Sequence, residues 1–241
     1  MTAFLPEFIG TALLILLGNG VNANVILAKS YGNNSGWIVI AFGWAVAVFA
    51  GVYVSASLGG SGHLNPAVTI ADAVKSGDWS KAPVFIAAQF AGAMSGALLA
   101  WLSYRKHFDA TEDANGQLGV FCNAPAIPST IDNLMTEIIG TFALVFGAFS
   151  ISGAKMNDTS FSLGSLDALP VALLVLGIGL SLGGSTGYAI NPARDLGPRI
   201  MHFMLPIKNK RDSNWAYSWI PVLGPVIGGV LAALLYTAMH Q

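Results

Sequence analysis

Two asparagines stand in the same tripeptide, Asn65-Pro66-Ala67 in GHLNPAVTI and Asn191-Pro192-Ala193 in YAINPARDL, each set among apolar residues. Asparagine favours the helix N-cap, and proline favours the first helical position, where its missing N–H would lack a partner anyway. Each tripeptide therefore marks the start of a helix. A capping asparagine is held through its carboxamide oxygen, which leaves the NH₂ donors for whatever lies beyond. Arg194 directly follows the second tripeptide, Glu7 and Glu137 interrupt apolar runs, and His63 precedes the first tripeptide alone. Ionisable groups in such surroundings are expensive and point to function by default. The chemistry on offer is hydrogen-bond donation to neutral, oxygen-bearing molecules. No nucleophile–base pair, metal cluster or phosphate loop occurs, which argues against an enzyme, and no cofactor is expected.

The surroundings of these residues decide the class of protein. Of 241 residues, 54% are hydrophobic and 10% are charged, where soluble domains carry about a quarter charged residues. The few charges cluster between long apolar runs, so the chain is read as an integral membrane protein. A formal net charge of −1 leaves no electrostatic footprint for nucleic acid. Cys122 is the single cysteine, so no intrachain disulfide forms, and it reads as a packing residue. The first apolar run begins at Glu7 rather than at a basic stretch and outlasts the core of a secretory leader, so it is read as a retained span. The short polar ends predict no appended regulatory domain.

A membrane-spanning helix needs about 20 mostly apolar residues, and six segments qualify: 4–28, 37–59, 83–104, 131–153, 168–185 and 216–238. Two apolar pieces are too short to span, 66–75 and 192–204, and each follows one Asn-Pro-Ala. Short leftover segments at matching places in two halves are the sequence pointer to a transport site. PEFIGTALLILLG and TEIIGTFALVFGA open the halves, with Glu7 and Glu137 in register. The predicted organisation is a single domain over 1–241: a first repeat (1–104), a connecting loop (105–130) and a second repeat (131–241). Each repeat holds three spans and one half-helix. Three is odd, so the second repeat sits inverted, and the half-helices meet amino end to amino end near the bilayer centre. Two positive dipole ends there disfavour cations.

Six spans, an inverted repeat, GHLNPAVT and NPARDLGPR resemble the major intrinsic protein family, the aquaporins and aquaglyceroporins, over nearly the whole chain. The resemblance implies an all-α membrane protein, with six transmembrane helices and two re-entrant half-helices, and a passive channel. It also implies a homotetramer with one pore per subunit in the lipid bilayer and both termini cytoplasmic. The loop charges point the other way: Lys75, Lys81 and Lys155 would lie inside, against Lys29, Arg105, Lys106, Lys208, Lys210 and Arg211 outside.

By the same resemblance Arg194 is the selectivity-filter arginine, with Tyr188 and Gly179 as further filter positions. The second-span position falls on Trp44, with Ala45 or Phe42 as alternatives, because SASLGGSGH is about one residue longer than usual. The resemblance also implies that Gly62, His63, Leu64, Gly187 and Ala189 line the path with backbone. Glu7 and Glu137 are either proton-relay groups or acceptors that support the re-entrant loops; their symmetric placement favours support, and His63 is read as ordering its loop. Gly179, where water-selective members carry histidine, and Asp195, a marker of the glycerol-conducting branch, imply an amphipathic slot for glycerol and similar polyols, with water also passing. Tyr188 is expected to add a hydroxyl contact. The alternatives are other small neutral metabolites, such as protonated lactic acid or urea, a water-selective channel, and, from another class, an ion-coupled transporter.

Overall fold

The computed structural model describes residues 3–152, 155–156, 159–160 and 164–240. Position 153, expected to end the fourth long span, lies outside the described residues, as does the side chain of Lys155. Among the described residues nine α-helices follow in order: α1 (Phe4–Ile26), α2 (Trp37–Ser57), α3 (Pro66–Ser76), α4 (Ala82–Ala110), α5 (Ala114–Phe121), α6 (Thr130–Ser152), α7 (Ala168–Leu182), α8 (Pro192–Met204) and α9 (Ile220–Met239). A 3₁₀ turn, Gly164–Asp167, leads into α7, and a two-residue ribbon pairs β1 (Lys155–Met156) with β2 (Thr159–Ser160).

Six helical segments, α1, α2, α4, α6, α9 and α7 taken together with the 3₁₀ turn before it, are long and apolar enough to cross a membrane. With every backbone group bonded inside the segment, a helix is one of the few structures hydrocarbon tolerates. Large apolar side chains such as Phe42, Val46 and Leu173 cover their outer faces, the arrangement lipid favours. Where helices meet, small residues bring backbones together. A Cβ on Gly92 of α4 would lie 2.4 Å from the Phe8 carbonyl of α1, and one on Gly228 of α9 would lie 2.2 Å from the Ile138 carbonyl of α6. Phe8 and Ile138 each follow the glutamate of their half, so the two halves use the same close approach.

The half-helices start where the sequence places them, at Pro66 and Pro192. The segment expected to be a loop, 105–130, is different. Helix α4 continues to Ala110, and α5 folds within the connection. Tertiary contacts hold α4 past its apolar run: Phe108 is buried against Phe121 of α5, and His107 Nδ1 lies 3.1 Å from the Ala28 carbonyl. Asp113 then caps α5 by accepting from Asn115 N. Gln117, fully buried, ties α5 to the carbonyls of Phe108, Thr111 and Lys208.

Candidate functional site

Asn65 Oδ1 accepts from Ala67 N at 2.9 Å, and Asn191 Oδ1 accepts from Ala193 N at 3.0 Å and Arg194 N at 3.2 Å. The amides are less free than capping alone implies. Asn65 Nδ2 donates to the Ile190 carbonyl at 2.8 Å, and Asn191 Nδ2 donates to the Leu64 carbonyl at 2.9 Å. The two tripeptides are thus cross-tied, and each NH₂ keeps one hydrogen for a further acceptor. Both asparagines line a cavity of about 450 Å³.

The loops before the asparagines hold unusual backbone. Leu64 and Ile190, the residues just before Asn65 and Asn191, have φ of 50° and 44°, and Tyr188 has 42°. Bulky residues in this region cost about 1–3 kcal/mol each unless the surroundings enforce them. Two buried carboxylates do so. Glu7 accepts from His63 N (2.9 Å), Leu64 N (2.8 Å) and Gln89 Nε2 (2.9 Å). Glu137 accepts from Ala189 N (3.0 Å), Ile190 N (2.9 Å) and Thr186 Oγ1 (2.7 Å). Neither lines the cavity. His63 places its Nδ1 3.2 Å from Thr69 Oγ1 and its ring edge-on to Phe85. Gly62, His63, Leu64 and Ala189 line the cavity; Gly187 does not, because it packs on Asn123 instead.

One end of the cavity is walled by Trp44, Tyr188 and Arg194. The Arg194 guanidinium sits 4.1 Å from the Trp44 ring centroid, and its Nη1 is buried with no hydrogen-bond partner among the described residues. Of the two alternatives to Trp44, Phe42 is 51% exposed on the outer face, and Ala45 is buried away from the cavity. Trp44 Nε1 donates to Asn22 Oδ1. The other end holds Asp72, Lys75 and Phe149, with the Lys75 ammonium 4.0 Å over the Phe149 ring.

Gly179 acts differently from the expectation. It is not on the cavity wall; a Cβ there would lie 2.8 Å from Tyr188 Cζ and 2.9 Å from its Oη. The room left by the missing side chain is filled by the Tyr188 ring. Trp37 backs that ring edge-on and donates Nε1 to the Gly179 carbonyl. The Tyr188 hydroxyl is consequently buried, without a partner among the described residues, rather than offered to the cavity, against the expectation of a hydroxyl contact.

Asp195 also faces away from the cavity. It forms a fully buried ion pair with Arg199 at 2.8 Å and accepts from Asn123 N at 2.7 Å. Arg199 donates to the carbonyls of Asn123, Ser213 and Asn214. The pair therefore fastens two long connections to α8. Gln89, Thr186, Asn123 and Asn22 escape a reading by motif and spacing. Gln89 and Asn22 nevertheless carry a signal: each is an amide inside an apolar span.

A family model described as Major intrinsic protein matches residues 1–236. The chain is 52% identical over 237 residues to the probable glycerol uptake facilitator protein of Thermotoga maritima, covering 98% of each chain. It is 52% identical over 238 residues to the glycerol uptake facilitator protein of Streptococcus pneumoniae, covering 98% of this chain and 99% of that one. Among solved structures, the X-ray structure of the aquaglyceroporin from Plasmodium falciparum superposes with a TM-score of 0.83 at 30% identity, covering 97% of this chain and 94% of that one.

Proposed function

The chain belongs to the major intrinsic protein family, a multi-pass membrane channel rather than an enzyme, and from that premise we propose that it passes glycerol and similar small polyols, with water following and ions and protons excluded. The glycerol uptake facilitators among its relatives support the solute. The observation that carries the reading is the pairing of an apolar ring face, Trp44, with the Arg194 guanidinium on the wall of the same cavity. A polyol has a carbon edge and a hydroxyl edge. The ring accommodates the first, and Arg194 replaces water at the second, so dehydration on entry is compensated.

Midway, the free hydrogens of Asn65 and Asn191 donate to the solute where two helix amino ends converge, and the positive potential there repels cations. A water at this point accepts from both asparagines and cannot pass a proton onward through them. Glu7 and Glu137 serve as loop supports, and their engagement away from the cavity weighs against the ion-coupled alternative, which keeps His63 alone of the three titratable candidates on the wall. Residues 1–104 and 131–241 form the inverted repeats, a reading supported by their matching openings and odd number of spans; that both termini face the cytoplasm and that four copies assemble rest on the family resemblance.

Stopped-flow light scattering on proteoliposomes tests the solute. Rapid re-swelling in a glycerol gradient is the expected result, read beside erythritol, urea and lactic acid at several pH values. Fast water flow with glycerol excluded would overturn the polyol reading, and uphill solute accumulation across a pH gradient would overturn the channel itself.

A further inference from the structure

The Trp44 side chain has a single polar hydrogen, on Nε1, and gives it to Asn22 Oδ1 at 3.0 Å. Asn22 lies on α1 and is 6% exposed. Its Nδ2 donates to the Gly119 carbonyl at 3.2 Å and stands 3.5 Å from that of Val120, at the carboxyl end of α5. One turn earlier on α1, a Cβ on Gly18 would lie 2.3 Å from Trp44 Cζ3, so the glycine leaves the space the indole occupies. The ring is held at its edge by Asn22, seated against Gly18, and turned with one face to Arg194.

An amide among apolar helices costs free energy unless both its donor and its acceptor are used. Asn22 uses both. Its oxygen removes the one donor by which Trp44 could bind a solute, and its nitrogen anchors the arrangement to the connection between the halves.

We propose that Asn22 is a positioning residue of the solute filter, which fixes the Trp44 indole by taking its N–H, so that the ring presents only an apolar face and donation at this level falls to Arg194. The inference rests on the reading of Trp44 and Arg194 as the filter. Without Asn22 the indole N–H has lost its acceptor, and solute and water oxygens in the cavity that Trp44 lines are acceptors it can turn to. The ring then turns toward them, off the guanidinium, and the slot loosens for longer polyols.

The test is the erythritol-to-glycerol permeability ratio in proteoliposomes, normalised to channel content, for Asn22→Val, Trp44→Phe and the double variant. Asn22→Val should raise the ratio by about threefold, in keeping with one lost hydrogen bond. It should have no further effect in the Trp44→Phe background, where there is no N–H to hold. Hydrogen–deuterium exchange of the Trp44 indole N–H, assigned by its absence in Trp44→Phe, should be slow in the wild type and fast in Asn22→Val. Asn22→Ala takes the same place in the cycle where Asn22→Val does not assemble. A ratio unchanged by the Asn22 variants, a shift that persists in the Trp44→Phe background, or an indole N–H that stays protected overturns the inference. Trp44→Ala separates the two readings: if it too leaves the ratio unchanged, the filter reading itself falls.

Discussion

A carboxyl group that accepts three hydrogen bonds in a membrane-embedded site, and forms no ion pair among the described residues, holds backbone that would otherwise relax. Glu137 takes the N–H groups of Ala189 and Ile190, and Ile190 has positive φ. Glu137→Leu orphans both donors at about 1–3 kcal/mol each. The detergent-solubilised variant should therefore melt well below the wild type, while Glu137→Gln, which keeps one acceptor oxygen, should lie between. Melting of Glu137→Leu with the wild type would show that the loop holds its shape unaided. Residue by residue, the sequence disclosed which polar groups sit in apolar runs. It did not disclose that each Asn-Pro-Ala amide donates across to the other loop, because the Asn65–Ile190 bond spans 125 residues.

The elements set the shape of the proposed filter. Helix α7 offers the Tyr188 ring a slot that the missing side chain at Gly179 creates. Gly179→Ala should push the ring toward the cavity, at an overpacking cost of about 1–3 kcal/mol. Glycerol permeability should fall more than water permeability, and Tyr188→Ala in the same chain should restore it; equal losses of both solutes would place the obstruction elsewhere. Helix α8 is fastened by the Asp195–Arg199 pair. Asp195→Ala leaves a buried guanidinium unpaired, a loss of about 3–5 kcal/mol, which should appear as a large drop in melting temperature. The double variant Asp195→Ala/Arg199→Met should recover part of that drop, since removing both charges removes the desolvation problem. The half-helices themselves were legible, because Asn-Pro is a local start signal. The continuation of α4 to Ala110 and the fold of α5 were not, because polar helical sequence between spans looks like a loop.

For the whole molecule, apolar outer faces and close-packed glycine contacts describe a body built to sit in lipid. Gly92 and Gly228 make equivalent approaches in the two halves, so the repeat seen in the sequence is also a repeat of packing. If four such bodies assemble, chemical crosslinking in native membranes should give a ladder that ends at four copies. A ladder that ends at one or two would remove the tetramer. Tags at each end, probed by protease from either side of the membrane, decide between the family's orientation and the one the loop charges suggest.

The sequence by itself determined the class of molecule, because hydropathy, the odd number of spans per repeat and the paired cap signals are local or countable properties of the chain. It also singled out Arg194, since a charge in an apolar run needs no partner to be noticed. Only the tertiary structure decided what the supporting residues do. It turned Gly179 from an opening into a seat for Tyr188, buried the Tyr188 hydroxyl, made Asp195 a fastener of distant loops and gave the Trp44 N–H to Asn22. Each of these depends on which distant groups meet across helices, and a side chain's type and neighbours in sequence do not carry that information.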